Sequence, residues 1–335
     1  MKEKIKVIMD VDTGSDDAIA IMTALRSPEL EILGICTVNG NKPVENTTEN
    51  TLRVLDLMGS KVPVYKGCAS PMVAALNPAR QLRRAKDVAK VNGKVVTYHH
   101  EYLEEFPPAV SKPQEECAVC WLIDTLLKSQ GDITIIAVGP LTNIATAMRA
   151  DPRIIAKIKK LVIMGGGHLQ TNTTSASEFN IVMDPEAAQI VMTSGCEVLL
   201  VPLDATHRAW VGQDESDRFR AFGTPVSTAV ADLLDTRIEA YDLLQPIVFA
   251  PKNTTPPHDA LAVCAVIDPS VLQDVQFCRV DVDFGGSYGD GMTIVDPRVR
   301  TDDPKNVWIA LNADREKFVG MLFDRLGEKQ DTSRK

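Results

Sequence analysis

Four carboxylates crowd into eight residues near the N-terminus, at Asp10, Asp12, Asp16 and Asp17. They follow a short apolar run and precede a helical pattern, so we expect them around one turn between a strand and a helix. A purely structural interpretation makes Asp16 a helix N-cap and Asp17 a first-turn acid. Four acids around one turn nevertheless repel each other, and a divalent cation relieves that repulsion. The block therefore predicts a metal site.

Carboxylate oxygens favour calcium or magnesium over zinc, for which His or Cys ligands are expected. Calcium takes roughly six to eight oxygens, so a distant acid, carbonyl groups and water must complete its shell. Asp259 is the distant candidate, because it begins an apolar helical run in the segment Pro257-His258-Asp259-Ala260. His258 is either an ordinary surface histidine or a site residue, and its position beside a candidate ligand favours the second interpretation.

Two polar segments follow in the middle of the chain. Gly165 to Gly167 end a buried strand pattern, but no Lys-Ser or Lys-Thr pair follows, which argues against a nucleotide-phosphate loop. Glu178 and Asn180 lie two residues apart. In an extended segment both side chains would point to one face, which suits two adjacent sugar hydroxyls.

Short β-branched runs alternate with amphipathic segments along most of the chain. The runs predict strands at 5–9, 32–38, 62–65, 133–138, 160–164 and 197–201. The amphipathic segments predict helices at 16–26, 44–58, 115–129, 141–149 and 185–193. Parallel strands need crossover helices, so the pattern predicts a single α/β domain over residues 1–335. Its sheet should be open, mostly parallel and flanked by helices on both faces.

Loops that follow parallel strands emerge at one edge of a sheet, where ligands bind. Asp12, Asn41 and Gly165 all follow predicted strands and should meet there. Between residues 77 and 116 the alternation gives way to charge and proline, and between 204 and 257 to long helices with a loop. Both regions are expected to be inserted lids.

The composition excludes several classes of partner. Lys and Arg total 36 against 45 Asp and Glu, giving a net charge of −9 without a basic stretch that could follow a nucleic-acid backbone. Seven cysteines, mostly in apolar runs, favour a reducing compartment, and the Cys117–Cys120 pair falls inside a helical pattern that argues against a redox motif. No apolar run has membrane-spanning length, and the N-terminus lacks a secretory pattern, so a cytoplasmic protein is expected.

Six motifs occur in the order typical of one enzyme family. They are DVDTGSDDA, VNGN, AVGPLTNIA, MGGG, EFN followed by DPEAA, and HDALAV. Over nearly its whole length the chain resembles the inosine-uridine-preferring nucleoside hydrolase family. The resemblance implies calcium-dependent hydrolysis of the N-glycosidic bond of ribonucleosides, which gives ribose and a free nucleobase. It also implies the fold of that family, a function in purine or pyrimidine salvage, and a homodimer or homotetramer.

The resemblance further implies a role for each matching residue. Calcium would be held by Asp12, Asp16, Asp17, Asp259 and the carbonyl of Val138. Asp12 would also be the general base that activates a calcium-bound water, with Asp10 supporting the site. The substrate contacts would be Asn41, Met164, Asn172, Glu178, Asn180 and His258. His258 would face the base and is the obvious acid for the leaving group, with a pKa that could lie near neutrality.

The chain departs from the family pattern after the third predicted strand. Many members have a His-Gly pair and a DGLG segment there, whereas this chain reads Tyr98-His99-His100-Glu101. Either the segment is a surface lid, or His99 or His100 enters the pocket and influences the choice of base. Tyr241 and Trp210 could stack on a base, although aromatic residues on helices more often belong to the core. The basic run at 80–90 is expected to be an exposed helical face.

Two other functions are compatible with part of the sequence. An aspartyl-phosphate phosphatase also begins with a strand and a DxD motif, but it requires Thr or Val where this chain has Gly14 and gives no role to EFN and HDA. A non-catalytic nucleoside or ribose binding protein would retain the pocket but would not need Asp12. Release of base and ribose, release of phosphate, or neither, separates the three.

Overall fold

The main sheet of the protein is open, with nine strands among the described residues of this computed structural model. The structure describes residues 3–73, 76–77, 80, 88–91, 93–245, 247–298 and 302–327. The strands of the main sheet are β1 (Ile5–Val11), β2 (Leu30–Thr37), β3 (Val64–Lys66), β6 (Ile133–Ala137), β7 (Ile158–Met164), β8 (Val198–Val201), β11 (Leu272–Val282), β12 (Thr293–Asp296) and β13 (Val307–Ala313). Two further pairs are formed by β4 (Val88–Val91) with β5 (Lys94–Thr97), and by β9 (Val211–Gly212) with β10 (Thr254–Thr255).

Along the sheet the strand order is β12-β11-β13-β8-β7-β6-β1-β2-β3. The strands from β13 to β3 are parallel, whereas β11 is antiparallel to both of its neighbours. The predicted open, mostly parallel sheet is confirmed. The three strands after residue 270 were not predicted, because one face of β11 is largely exposed and its apolar pattern is correspondingly weak.

The helices cover both faces of the sheet. They are α1 (Ser15–Leu25), α2 (Val44–Met58), α3 (Ala118–Lys128), α4 (Thr142–Ala150), α5 (Phe179–Met183), α6 (Pro185–Met192), α7 (Leu203–Thr206), α8 (Gln213–Phe222), α9 (Pro225–Leu244), α10 (His258–Ile267) and α11 (Arg315–Leu326). Short 3-10 helices lie at Pro152–Lys157 and Pro269–Val271. All five predicted helices are present, and each predicted boundary falls within a few residues of the observed one.

Two apolar cores sandwich the sheet. One joins β1 and β2 to α1, α2, α9, α10 and α11, and includes Leu52 and Phe318. The other lies under α3, α4 and α6, and includes Leu122 and Ile144. Because parallel strands are buried on both faces, they consist of nearly continuous apolar runs. That continuity is why their positions can be predicted from sequence.

The two inserted regions lie outside the main sheet, except that Gln114 of the first forms an isolated bridge with Tyr65 of β3. The first contains the β4–β5 hairpin, and the second contains α8, α9 and the β9–β10 pair. Arg80 contradicts the prediction of an exposed basic face at 80–90, because it is buried and paired with Glu186 and Asp290. Residues 81–87 of that run lie outside the described residues.

The Cys117–Cys120 pair lies at the exposed N-terminal end of α3, where Cys117 is the N-cap and Cys120 lies in the first turn. Contact with Cys117 raises the pKa of Cys120, so this thiol is not activated as a redox motif requires. Among the described residues, no helix combines the length and the apolar character needed to cross a bilayer.

Candidate active site

A cavity of about 300 Å³ opens at the carboxyl edge of the parallel strands. The loops after β2, β6 and β7 contribute to it, together with the N-terminal ends of α1 and α10. Its walls include Asp16, Gly40, Asn41, Tyr98, His99, Val138, Met164, Asn172, Thr173, Glu178, Phe179, Asn180, Met183, Arg237, Tyr241, Gln245, His258 and Asp259. The predicted convergence of strand-end residues at one edge of the sheet is therefore confirmed, and both inserted regions add a wall.

An acid cluster forms one end of the cavity. Carboxylate oxygens of Asp16, Asp17 and Asp259 lie within 4.8 Å of one another, and all three side chains are buried. Asp12 lies outside that tight group but is close enough to interact electrostatically with Asp17 and Asp259. The fold thus brings acids of the N-terminal block close to Asp259, which is more than 240 residues further along the chain.

Backbone amides hold Asp17 in place. Its carboxylate accepts hydrogen bonds from the Asp12 amide at 3.1 Å and the Gly14 amide at 2.9 Å, and from the Asn41 side-chain amide at 3.3 Å. The N-cap of α1 is Gly14, so the suggestion that Asp16 caps this helix is wrong. Asp17, in the first turn, satisfies the free amide of the cap instead.

Asp12 has one oxygen occupied and one available. Its Oδ2 accepts a 2.7 Å hydrogen bond from the Asn41 amide, while its buried Oδ1 has no partner among the described residues. The chain approaches Asp12 so closely at Gly40 that a Cβ there would lie 2.0 Å from Oδ2. Only glycine fits at that position, which explains the glycine of the VNGN motif.

Asp10 lies on β1, next to the acid block, and is hydrogen-bonded to Asn143. Its Oδ1 accepts a 2.8 Å hydrogen bond from the side-chain amide of Asn143, which also donates to the Thr37 carbonyl. Burial raises the pKa of Asp10 to about 7. Asn143 was missed as a site residue, although it belongs to the AVGPLTNIA motif and ties that motif to the strand bearing the acids.

The acid cluster has the chemistry of a hard-cation site. Burial, followed by mutual repulsion, raises the pKa of Asp12, Asp17 and Asp259. Buried carboxylates at this spacing, together with the unpartnered Oδ1 of Asp12, fit a divalent cation with oxygen ligands. The donor set contains no His or Cys, which agrees with calcium or magnesium and not zinc.

Asn180 fixes the strand ends beside the cluster. Its side-chain amide donates to the Val138 carbonyl at 2.8 Å and to the Met164 carbonyl at 3.1 Å. Val138 and Met164 both line the cavity. A carbonyl oxygen has two lone pairs, so the bond from Asn180 leaves Val138 able to bind a cation.

Glu178 and Asn180 both line the cavity, but not from an extended segment as predicted. Glu178 is the N-cap of α5, and Asn180 lies inside that helix. The Glu178 carboxylate accepts hydrogen bonds from the amides of Gly166, Asn180 and Ile181 at 2.8, 2.9 and 3.1 Å. Burial, opposed by these bonds, raises its pKa to about 7. The carboxylate is therefore held rigidly and can accept further hydrogen bonds from a ligand.

The remaining predicted sugar contacts also line the cavity. Asn172 accepts hydrogen bonds from the Phe179 amide at 2.9 Å and the Thr173 hydroxyl at 3.0 Å, which leaves its side-chain NH₂ available. Asn41 uses its side chain to reach Asp17. Asn41 is thus oriented by the acid cluster, and Asn172 by its own loop and the first residue of α5.

His258 and Tyr241 form a further part of the cavity wall. The ring of His258 is hydrogen-bonded through Nδ1 to the Thr206 hydroxyl at 2.7 Å and through Nε2 to the Tyr241 hydroxyl. Burial, then the neighbouring His207 and Arg237, lowers the pKa of His258 well below its usual range. The expectation of a pKa near neutrality is wrong for this ring, because its surroundings favour the neutral form.

Of the two adjacent histidines, His99 lines the cavity and His100 is exposed. The Nδ1 atom of His99 accepts a 3.2 Å hydrogen bond from the Ser15 amide. A Cβ on Gly14 would lie 2.2 Å from that nitrogen, so His99 approaches the acid block only because residue 14 is glycine. Trp210 is not a wall residue of the cavity, and the guanidinium of Arg315 lies 3.6 Å from its ring.

Arg237 is a cavity residue that the sequence patterns did not indicate. It lies on α9, only 1% exposed, and its Nη1 pairs with Asp16 Oδ1 at 2.9 Å. Burial opposes its charge, yet the neighbouring acids, Asp16 foremost, keep its pKa above the ordinary value. The acid block itself contains no Lys or Arg, so its sequence suggested a cluster without a positive counter-charge. Arg237 supplies that charge from a position 221 residues away from Asp16 in the chain.

A small polar cavity above buried carboxylates, at the carboxyl edge of a parallel sheet, defines an α/β enzyme for a polar small molecule. Residues 7–320 match the family model of the inosine-uridine preferring nucleoside hydrolases. The chain belongs to that family, and it is an N-glycosidase of the ribonucleoside hydrolase class.

Three similar proteins illustrate the range of the family. The pyrimidine-specific ribonucleoside hydrolase RihA of Shigella boydii is 38% identical over 322 residues, covering 96% of this chain and 97% of RihA. The structure of a purine-preferring ribonucleoside hydrolase from Gardnerella vaginalis has a TM-score of 0.80 and 32% identity, over 96% of this chain and 98% of that one. The plant nucleoside hydrolase PpNRh1 has a TM-score of 0.84 and 27% identity, over 98% and 100%.

Proposed function

We propose that the protein hydrolyses ribonucleosides in a calcium-dependent reaction with Asp12 as the general base. The observation that carries this proposal is the buried acid cluster beside the unpartnered Oδ1 of Asp12. A buried carboxylate oxygen without a donor is costly, and it is retained where a cation or a reacting proton needs it. Release of ribose and base from a nucleoside tests the proposal.

The cation would be held by Asp12, Asp16, Asp17, Asp259 and the Val138 carbonyl. When bound, calcium would orient the attacking water and the sugar hydroxyls and offset the negative charge of the acids. The fit rests on the spacing of the three clustered carboxylates and on the all-oxygen donor set.

Asp12 is arranged to take a proton. The Asn41 amide holds its Oδ2, so the carboxylate cannot rotate and Oδ1 keeps one direction. Burial raises the pKa of Asp12, which makes its carboxylate a stronger base than an exposed one. A water placed against Oδ1 would lose its proton there as its oxygen bonds to the anomeric carbon.

Glu178, Asn180, Asn172 and Asn41 would grip the ribose. N-glycosidic cleavage passes through a ribose that resembles an oxocarbenium ion, and hydrogen bonds to the sugar hydroxyls strengthen as that charge develops. The three backbone amides that bind Glu178 keep its carboxylate in one orientation. Binding energy at the hydroxyls can then act at the reacting carbon.

The departing base would be protonated beside His258, whose ring lies between the hydroxyls of Thr206 and Tyr241. We assign the role of leaving-group acid to His258 acting together with Tyr241. A proton taken up from solvent by the ring would pass through the shared hydrogen bond to the Tyr241 oxygen, and the Tyr241 hydroxyl would give its own proton to the base. His99 lines the same cavity and would contact the base.

The test is a substrate panel with ribose release as the readout, run with and without calcium. We expect turnover of uridine and cytidine first, because the 38% identical RihA is named pyrimidine-specific. Inosine and adenosine are included because the Gardnerella relative is named purine-preferring. A phosphoester and equilibrium binding of each nucleoside complete the panel. Phosphate release, or binding without cleavage, would replace the proposal with one of its two rivals.

The oligomer stays a prediction. We expect a homodimer or homotetramer, and light scattering of the purified protein measures it. A function in nucleoside salvage likewise follows only if free bases are released from nucleosides at physiological concentrations.

A further inference from the structure

Arg237 occupies a position that the reaction outlined above leaves unexplained. Its guanidinium donates to the Ser15 hydroxyl at 3.0 Å and to the Pro256 carbonyl at 2.8 Å, in addition to the pair with Asp16. Its Nε atom is buried without a partner among the described residues. A buried arginine that lines a ligand cavity and binds a candidate metal ligand is too specific to be a solvated surface charge.

The charge balance of the cluster shows what the guanidinium does. The four buried acids proposed to hold the cation carry up to four negative charges; they are Asp12, Asp16, Asp17 and Asp259. Among the described residues, Asp16 is the one of these acids with a cationic side chain within 4 Å. Taking unpaired charges out of water is expensive, and one opposite charge in contact relieves part of that cost. Arg237 therefore stabilises the cluster when no metal is bound.

We propose that Arg237 is a positioning residue that acts as a built-in counter-charge for Asp16 and thereby weakens calcium binding at the acid cluster. The inference rests on the proposed function, because it takes the cluster to be the calcium site. Two effects act in the same direction: the guanidinium occupies an oxygen of Asp16, and its positive charge repels a cation held by the neighbouring acids.

A purely structural role for Arg237 predicts the opposite change in calcium affinity. The bond from Arg237 to the Pro256 carbonyl anchors the chain three residues before Asp259. If anchoring were its function, removing the guanidinium would displace Asp259 and weaken calcium binding. The direction of the change in calcium affinity therefore separates the two roles.

The experiment measures calcium binding to the full chain by titration calorimetry, after removal of metal with a chelator. For Arg237→Gln we expect calcium to bind at least about tenfold more tightly than to the wild type, since a positive charge next to the cation is lost. Arg237→Lys keeps the charge and should bind calcium within about threefold of the wild type. The control is Arg220→Gln, which removes an exposed arginine paired with Asp232 and Asp235 and should change nothing.

Thermal unfolding gives a second readout. Arg237→Gln should lower the Tm of the metal-free protein, and saturating calcium should raise its Tm by more than it raises that of the wild type. If the variant folds only with calcium present, its affinity is measured by competition with a chelator of known affinity.

Unchanged or weaker calcium binding by Arg237→Gln overturns the inference. Equal tightening in Arg237→Lys and Arg237→Gln also overturns it, because shape and not charge would then be the cause. If the wild-type protein binds no calcium, the proposed metal site is overturned. If the wild type binds calcium and Arg237→Gln binds it no more tightly, only the role of Arg237 is overturned.

Discussion

Two groups of residues around the cavity are built in different ways: the acid end, with Asp12, Asp17 and Asn41, and the base end, with His99, Tyr241 and His258. At the acid end, Asp12 and Asp17 are held by backbone amides and an asparagine, all within the first 41 residues. At the base end, His99 comes from one inserted region and Tyr241 from the other, and the side chains of Tyr241 and Thr206 hold the ring of His258. Short local turns keep the acid end rigid, while the base end depends on how two inserted regions pack.

This difference suggests a division of labour. The cation, the water and the ribose would be common to all ribonucleoside substrates, and the groups that bind them lie at the rigid end. The nucleobase is the variable part, and two of the groups near it, His99 and Tyr241, lie on the inserted regions, where sequence can change without disturbing the sheet. Changes at the acid end should therefore affect every substrate, and changes at the base end should depend on the leaving group.

Asp12→Asn should have the largest effect. Loss of the proton acceptor should lower kcat by about 10³-fold for every nucleoside, within the range of general-base contributions. The amide oxygen can still accept the Asn41 hydrogen bond, so the Tm should change little. Ribose release and thermal unfolding measure the two properties. A variant that keeps a tenth of the wild-type kcat would refute the assigned base.

Removal of metal should come next. A chelator should reduce ribose release to a few per cent or less, because the acids then repel each other and nothing orients the water. Added calcium should restore activity more fully than magnesium, which demands a stricter octahedral geometry. Activity that survives exhaustive chelation would sink the metal requirement at this end of the cavity.

The sugar hydroxyls provide a smaller test of the rigid end. For 2'-deoxyuridine, kcat/KM should fall at least about 10²-fold relative to uridine, and kcat itself should fall as well. The reason is that groups held to bind a hydroxyl would be left unpaired in the transition state. Steady-state kinetics on both substrates measures the split, and an effect confined to KM would contradict it.

Tyr241→Phe tests the base end. Loss of the hydroxyl bonded to His258 should lower kcat about tenfold for natural nucleosides, whose leaving base needs a proton. A p-nitrophenyl riboside has a leaving group that departs without protonation, so its hydrolysis should change little. Asp12→Asn, in contrast, should impair both substrates. Equal losses on the two substrates in Tyr241→Phe would mean that the hydroxyl shapes the pocket and does not assist departure.

The smallest effect concerns stability at the base end. Burial lowers the pKa of His207, which packs 5.6 Å from the ring of His258, to about 4 from an ordinary 6.5. The folded protein favours the neutral ring of His207, so the free energy of unfolding decreases as the pH falls from 6.5 to about 4. Between about pH 7.5 and pH 5 the loss from this group should be roughly 1–2 kcal/mol.

His207→Phe should remove that loss. Urea unfolding at both pH values gives the free energy of unfolding, and the decrease on acidification should be smaller in the variant than in the wild type. Exposed His100, changed to Gln, is the matched control and should behave like the wild type. An identical pH dependence in wild type and His207→Phe would show that His207 contributes nothing.

Much of the acid end could be predicted from the sequence. The strands around Ile8 and Ile135 are nearly continuous apolar runs, so the sheet and its ligand edge followed from periodicity. The position of Asn41 and the acids followed from their place after those strands. The helical cap at Glu178 was missed, because a five-residue helix is too short to show a periodic pattern.

The base end could not be predicted in the same way. His99 and His100 are adjacent and alike in sequence, and only the close packing against Gly14 decides which one enters the cavity. Burial also lowers the pKa of His258, which was expected near neutrality. Such outcomes depend on what surrounds a side chain, and here the surrounding residues are 17, 52 and 84 positions away in the chain.

The sequence by itself determined the first six strands of the main sheet, the family and the candidate acids, because these depend on short periodic patterns and on motifs whose spacing is local. Only the tertiary structure decided that Arg237 pairs with Asp16 and that Tyr241 bonds to His258. Electrostatic and hydrogen-bonding energies fall off over a few ångströms in space and not along the chain, so a partner 221 residues away has no signature in the local pattern.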